Sequence, residues 1–81
     1  MTRDEAADIL IEALGLARER VTADTVDGKR EKRDRLRNAV SGLWTGRDAG
    51  QGGPSGADLR ELLGDPDDKR LRQAISAWDA A

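Results

Sequence analysis

Apolar residues recur every three or four positions through most of this chain, and that spacing restricts it to helical structure. The clearest case lies near the C-terminus, where Leu71, Ala74, Ile75 and Trp78 follow the i, i+3, i+4, i+7 pattern of one helical face. No alternation of apolar and polar residues indicates a strand. The sequence therefore predicts an all-α fold, a small helical bundle of three main helices plus one short helix in a single domain.

The residues that start and stop helices divide the chain into four segments. Thr2 and Glu5 match a capping box at the start of the first helix. Residues 46–56 contain five glycines and one proline, which predicts a flexible loop between the second and third helices. Asp65 and Pro66 are typical of an N-cap and a first helical position, so they should open the fourth helix. The expected helices are 3–21, 26–45, 57–63 and 66–80.

The expected core is small. The 81 residues include 15 Leu, Ile and Val, no Phe and two Trp. A domain of this size buries a modest fraction of its surface, so a partner or a second copy of the chain could complete the core. Trp44 should lie at the edge of the glycine-rich loop. The other expected core residues are Leu10, Leu14, Ala17, Leu36, Val40, Leu43, Leu59, Leu63, Leu71, Ile75 and Trp78.

The first helix has a wider apolar arc than a two-layer contact needs. Ile9, Ile11 and Leu16 fall on the two flanks of its main apolar face, and acidic residues occupy the opposite side. Two interpretations are open: the helix is central in the bundle, or it also packs on a partner. In the second case Ile9, Ile11 and Leu16 are a candidate apolar interface.

The composition argues against several classes of function. The chain has no Cys and no His, which removes thiolate chemistry, the commonest metal ligand and the commonest general acid–base. Catalysis, a cofactor, a metal site and a small-molecule substrate are therefore not expected. The longest run of large apolar residues is Ile9–Ile11, which is too short to span a membrane, and the acidic N-terminus is unlike a secretory signal. A cytoplasmic protein is expected.

Basic residues are concentrated in the second helix. Six of the nine residues 29–37 are Lys or Arg, whereas the formal net charge of the whole chain is −2. On a helix, Lys29, Arg33 and Arg37 should share a face with Leu36, Val40 and Trp44. The helix would then extend beyond its core and present cations there. We call the following four residues the basic ridge: Lys29, Arg30, Arg33 and Arg37.

Two interpretations of the basic ridge are open. In the first, the ridge is solvated surface, as charge runs usually are. Within the helix, Glu31 can pair with Arg35, and Asp34 can pair with Arg30 or Arg37. The ridge can also dock an anionic partner, either phosphates or an acidic protein face.

The C-terminal segment 55–78 has the rhythm of a helix-turn-helix, with Gly64 at the turn. Lys69, Arg70 and Arg72 would then be weaker candidates for nucleic-acid contacts. A plain helical hairpin explains the same pattern and is the favoured interpretation, because acidic residues would occupy the start of the recognition helix.

These observations predict a non-catalytic protein-binding or adaptor module that acts through its helix surfaces, as a monomer or as a homo-oligomer. In a homodimer, the acidic stripe of the first helix would face the basic ridge. The alternative is a small nucleic-acid-binding regulator that uses the basic ridge together with the C-terminal hairpin.

Overall fold

Four helices make up the described part of the chain: α1 (Arg3–Arg20), α2 (Asp27–Ala49), α3 (Gly56–Leu62) and α4 (Lys69–Asp79). The computed structural model describes residues 1–21 and 27–80, and only the backbone of 27–29. These ranges contain no strand, so the predicted all-α fold is confirmed. The predicted connection 22–25, and the predicted start of the second helix at residue 26, lie outside the described residues.

The capping box predicted for α1 is present. The Glu5 amide donates to Thr2 Oγ1 at 3.1 Å, and the Thr2 amide donates to Glu5 Oε1 at 3.4 Å. Each side chain thus satisfies a backbone N–H that has no partner inside the helix.

The central element of the bundle is α1, which packs against both α2 and α4, while α3 packs mainly against α4. This position accounts for the wide apolar arc of α1, because two helices contact it from different sides. The buried apolar core is Ala6, Ala7, Leu10, Leu14, Leu36, Ala39, Leu43, Leu59, Leu62, Ala74, Ile75 and Trp78.

Seven of the large residues expected in the core are buried, but four expected members are only partly buried. These four are Ala17, Val40, Leu63 and Leu71. In α2 the difference has a geometric cause, because the helix is rotated from the orientation that the Leu36–Val40–Trp44 stripe suggests. The described buried positions of α2 are Leu36, Ala39, Leu43 and Gly46. Val40 therefore lies on the flank of that face, and Trp44 is 46% exposed.

The prediction that residues 46–49 belong to a loop is wrong, because α2 continues through Gly46 to Ala49. Gly46 is a contact position inside the helix. A Cβ there would lie 2.7 Å from the Gly52 carbonyl oxygen and 3.0 Å from the Trp78 ring. The glycine therefore lets the following loop and α4 approach the helix closely.

The predicted start of the fourth helix is also wrong, because α4 begins at Lys69 with Asp68 as its N-cap. The Asp68 carboxylate accepts hydrogen bonds from the amides of Arg70 at 2.8 Å and Leu71 at 3.2 Å. Asp65 instead closes the preceding helix: its φ is 51°, and its amide donates to the Arg60 carbonyl at 2.7 Å.

The third helix begins one residue earlier than expected, at Gly56, and ends one residue earlier, at Leu62. Ser55 is its N-cap, with the Asp58 amide donating to Ser55 Oγ at 3.2 Å. The Gly56 amide donates to Asp79 Oδ1 at 3.0 Å, which ties the start of α3 to the end of α4.

Arg3 and Trp78 hold the loop between α2 and α3 against the bundle. Arg3 donates from Nη1 to the Gly46 carbonyl at 2.9 Å and from Nη2 to the Gly52 carbonyl at 2.8 Å. The Arg3 guanidinium lies 3.9 Å from the centroid of the Trp78 ring, and Trp78 Nε1 donates to the Pro54 carbonyl at 2.9 Å. One cluster thus joins the start of α1, the end of α2, the loop and the end of α4.

Replacement of Arg3 by Ala should lower the free energy of unfolding by about 2–3 kcal/mol. The variant loses two charge-assisted hydrogen bonds and a cation–π contact. Urea unfolding followed by circular dichroism measures the change. Arg18→Ala, an exposed substitution on the same helix, is the matched control and should stay within about 0.5 kcal/mol. Equal effects of the two substitutions would contradict the role assigned to Arg3.

Replacement of Asp68 by Ala should cost about 1 kcal/mol of stability, because α4 would lose its N-cap. Asp67→Ala removes the same charge one residue earlier and should have a much smaller effect. Thermal unfolding of both variants tests the assignment, which fails if Asp67→Ala is the more destabilising change.

Candidate functional site

A groove opens at the end of the bundle where α1 ends, on the side away from Arg3. Its volume is about 430 Å³. The C-terminal half of α1 forms one wall, the corner between α3 and α4 forms another, and α2 contributes one residue. Most of the lining is apolar: Ala13, Leu16, Ala17, Val21, Leu62, Leu63 and Leu71. We call this feature the end groove.

Leu16 is the most accessible apolar side chain in the end groove. It is 48% exposed, whereas most large aliphatic residues of the described chain are buried or partly buried. The other two residues of the predicted apolar interface, Ile9 and Ile11, are partly buried and pack against the core. Of the three residues, only Leu16 is therefore well exposed to a partner, because the core already covers much of Ile9 and Ile11.

Two cations line the end groove, Arg20 from α1 and Lys32 from α2. Arg20 lies one turn after Leu16, so both residues are on the same side of α1. Both cations are exposed to solvent. The groove thus combines an apolar lining with positive charge contributed by two helices.

Lys32 was not among the residues expected at a site, although the sequence contains a signal for it. It lies four residues before Leu36, and the spacing then continues by three and four residues through Ala39 and Leu43. This spacing puts Lys32 on the same face as the buried residues of α2, one turn beyond the last of them. The core-facing side of α2 therefore continues into a cation, as expected, but this cation is Lys32 and not a residue of the basic ridge.

The basic ridge lies on a different face from the one expected. Because the buried face of α2 is centred on Ala39 and Leu43, the ridge is rotated by about 100° from it. Arg30 and Arg37 are exposed and Arg33 is partly buried. The side chain of Lys29 lies outside the described residues.

Two arginines of this region form ion pairs. Arg37 pairs with Asp34 at 3.5 Å, as the sequence allows. Arg35 pairs with Glu61 of α3 at 3.2 Å, whereas Glu31 was the expected partner. Both pairs are well exposed to solvent, so each contributes little to stability.

Trp44 lies further along the face that carries the basic ridge. The guanidinium of Arg47 is 5.5 Å from the centroid of the Trp44 ring. Arg47 also pairs with Asp8 of α1 at 2.8 Å, and its side chain is only 30% exposed. The tryptophan is therefore held at the surface beside a cation whose own position is fixed.

The α3–α4 hairpin places Lys69, Arg70 and Arg72 on the exposed surface of α4. The connection 63–68 has six residues, which is longer than the turn of three or four residues in a helix-turn-helix. Arg60 and Arg72 line a polar cleft of about 440 Å³. Asp65 and Asp67 line the same cleft, so it does not present charge of one sign.

No group of three or more acidic residues in the described ranges is placed to hold a metal ion. None of the four described helices has the length and apolar character that a membrane crossing requires. Comparisons of the chain with protein-family models, curated proteins and solved structures found no match.

Proposed function

We propose that the chain is a non-catalytic protein-binding module whose end groove receives an amphipathic helix from another protein. The observation that carries the proposal is the half-exposed Leu16 in an apolar groove with cations from two helices. An apolar side chain exposed in a concave surface is what helix-in-groove recognition uses. A partner side chain placed against Leu16 would remove both from water.

The charges of the groove indicate the chemistry of the partner. Arg20 and Lys32 favour a helix whose apolar stripe is flanked by Asp or Glu, and they disfavour one flanked by Lys or Arg. An acidic flank also keeps the partner soluble when it is not bound.

The exposed area supports weak, reversible binding. Complete burial of a leucine is worth about 1.5–3 kcal/mol, and roughly half of Leu16 is already covered. Exposed charge pairs add about 1 kcal/mol or less each. Because these contributions are small, we expect a dissociation constant in the high micromolar to millimolar range.

The alternative expectation, a nucleic-acid-binding regulator, has less support. Arg37 of the basic ridge is paired with Asp34, and acidic residues share the polar cleft that contains Arg72. Both arrangements lower the net attraction for phosphates.

The proposal is tested with synthetic helical peptides of about 16 residues that carry Leu at i, i+3, i+4 and i+7. One peptide has Glu on both flanks of the stripe and the other has Lys. The Glu peptide should shift the backbone amide resonances of residues around Leu16 and Leu71, and the Lys peptide should bind at least tenfold more weakly. Equal affinity for both peptides would contradict the proposed partner chemistry.

Variants of the groove provide a second prediction. Leu16→Asp should abolish binding of the Glu peptide, because it puts a negative charge in the groove. Arg20→Asp should weaken binding several-fold, and its matched control Arg18→Asp should not. Both arginines are in the last turn of α1, but only Arg20 lines the groove. Unchanged binding to the Leu16→Asp variant would exclude the end groove as the site.

A further inference from the structure

We infer that the outer face of α2 binds a second copy of this chain in antiparallel orientation. This outer face consists of Arg33, Arg37, Val40, Trp44 and Asp48, which are spaced by three or four residues and so share one side of the helix. No residue of the outer face lines the end groove, and the inference does not rest on the proposed function.

The outer face changes chemistry along its length. Its N-terminal half carries Arg33 and Arg37, its middle carries Val40, and its C-terminal half carries Trp44 and Asp48. The distance from Arg33 to Asp48 along the helix is about 22 Å. A surface that is basic at one end and acidic at the other is complementary to itself when a second copy lies antiparallel.

A two-fold axis between Val40 and Ser41 defines the contacts. Each residue then meets the residue that lies equally far from the axis on the other helix. Arg33 faces Asp48 of the partner subunit, and Arg37 faces Trp44 of the partner subunit. Opposite charges meet at both ends of the contact, and the apolar surface of Val40 and Trp44 is buried near its centre.

The exposure and the surroundings of Trp44 favour such a contact. It is 46% exposed, which is unusual for the largest apolar side chain in a chain with only two aromatic residues. Arg47 lies beside its ring, and Asp8 holds Arg47 in place. Arg37 of the partner subunit can then approach the other side of the ring, so that the indole lies between two guanidinium groups. Tryptophan and arginine are the side chains most enriched among residues that dominate binding energy.

The charges favour a second copy over other partners. A uniformly acidic protein or a nucleic acid would be attracted by Arg33 and Arg37 but repelled by Asp34 and Asp48 on the same side of α2. In the antiparallel dimer, Asp48 at the end of the outer face meets Arg33 of the partner subunit. The contact involves a single helix, which is smaller than a standard interface, so we expect a dissociation constant on the order of 10–100 µM.

Sedimentation equilibrium of the full chain between about 5 and 500 µM should show a monomer–dimer equilibrium. Arg33→Asp and Asp48→Arg should each raise the dissociation constant at least tenfold, because each places like charges opposite one another. Arg70→Asp, an exposed charge reversal on α4, is the control and should change it less than twofold. Circular dichroism of each variant confirms that its helix content is preserved.

An equimolar mixture of the two single variants is the decisive sample. In a mixed dimer every reversed charge meets an opposite charge, so the mixture should dimerise with close to the original affinity, although neither variant does so alone. The double variant Arg33→Asp/Asp48→Arg should also recover dimerisation. A chain that remains monomeric at 500 µM overturns the inference, and so do single variants that dimerise normally or a mixture that fails to recover.

Discussion

The contact between Arg3 and Trp78 is the interaction that joins α1, α2 and α4 at one end of the bundle. Arg3 lies in the first turn of α1, yet its two Nη atoms donate to carbonyl groups in α2 and in the following loop. Its guanidinium also stacks on the indole of Trp78 in the last turn of α4. The ends of the longest helices and the loop are therefore held by one side chain.

Two glycines make this contact possible. A Cβ at Gly46 would lie 2.7 Å from the Gly52 carbonyl oxygen, and a Cβ at Gly53 would lie 2.7 Å from the Trp78 ring. Gly53 also has a φ of 91°, which residues with a side chain rarely adopt. At Gly46 and Gly53 the backbone of the glycine-rich segment thus approaches α2 and Trp78 too closely for a side chain.

The same contact explains why the end groove lies where it does. The Arg3–Trp78 cluster closes one end of the bundle, and the core residues Leu10 and Leu14 fill its middle. Few large apolar side chains remain for the other end, where Leu16 and Leu71 are only partly covered. With 15 Leu, Ile and Val and no Phe, the chain packs one end tightly and leaves an apolar groove at the other.

The sequence predicted the features that depend on neighbouring residues and missed those that depend on distant ones. The capping box of Thr2 and the burial of Ile75 follow from local spacing, and both are confirmed. The glycine content of 46–56 predicts a loop from Gly46 onward, whereas the contact of Gly46 with Gly52 and Trp78 exists only in the folded bundle. The choice of Asp68 over Asp65 as N-cap depends on the left-handed turn that ends α3. Gly64 indicates such a turn, but the positive φ of Asp65 that extends it does not follow from its residue type. The end groove combines residues from all four helices. Local spacing therefore identified Leu16 as a candidate interface residue but not the groove that contains it.

The rotation of α2 about its own axis determines which of its residues lie at the end groove and which lie on the outer face. Because Ala39 and Leu43 are buried, Lys32 lies at the end groove, and Arg33, Arg37 and Trp44 lie on a side of α2 that faces away from the core. If α2 were rotated to bury Val40 and Trp44, the tryptophan would join the core and the outer face would lose its apolar centre. Because Gly46 must face Gly52 and Trp78, that rotation is excluded. The close contact at Gly46 therefore determines which side of α2 is available to a partner, and it leaves the end groove and the outer face accessible at the same time.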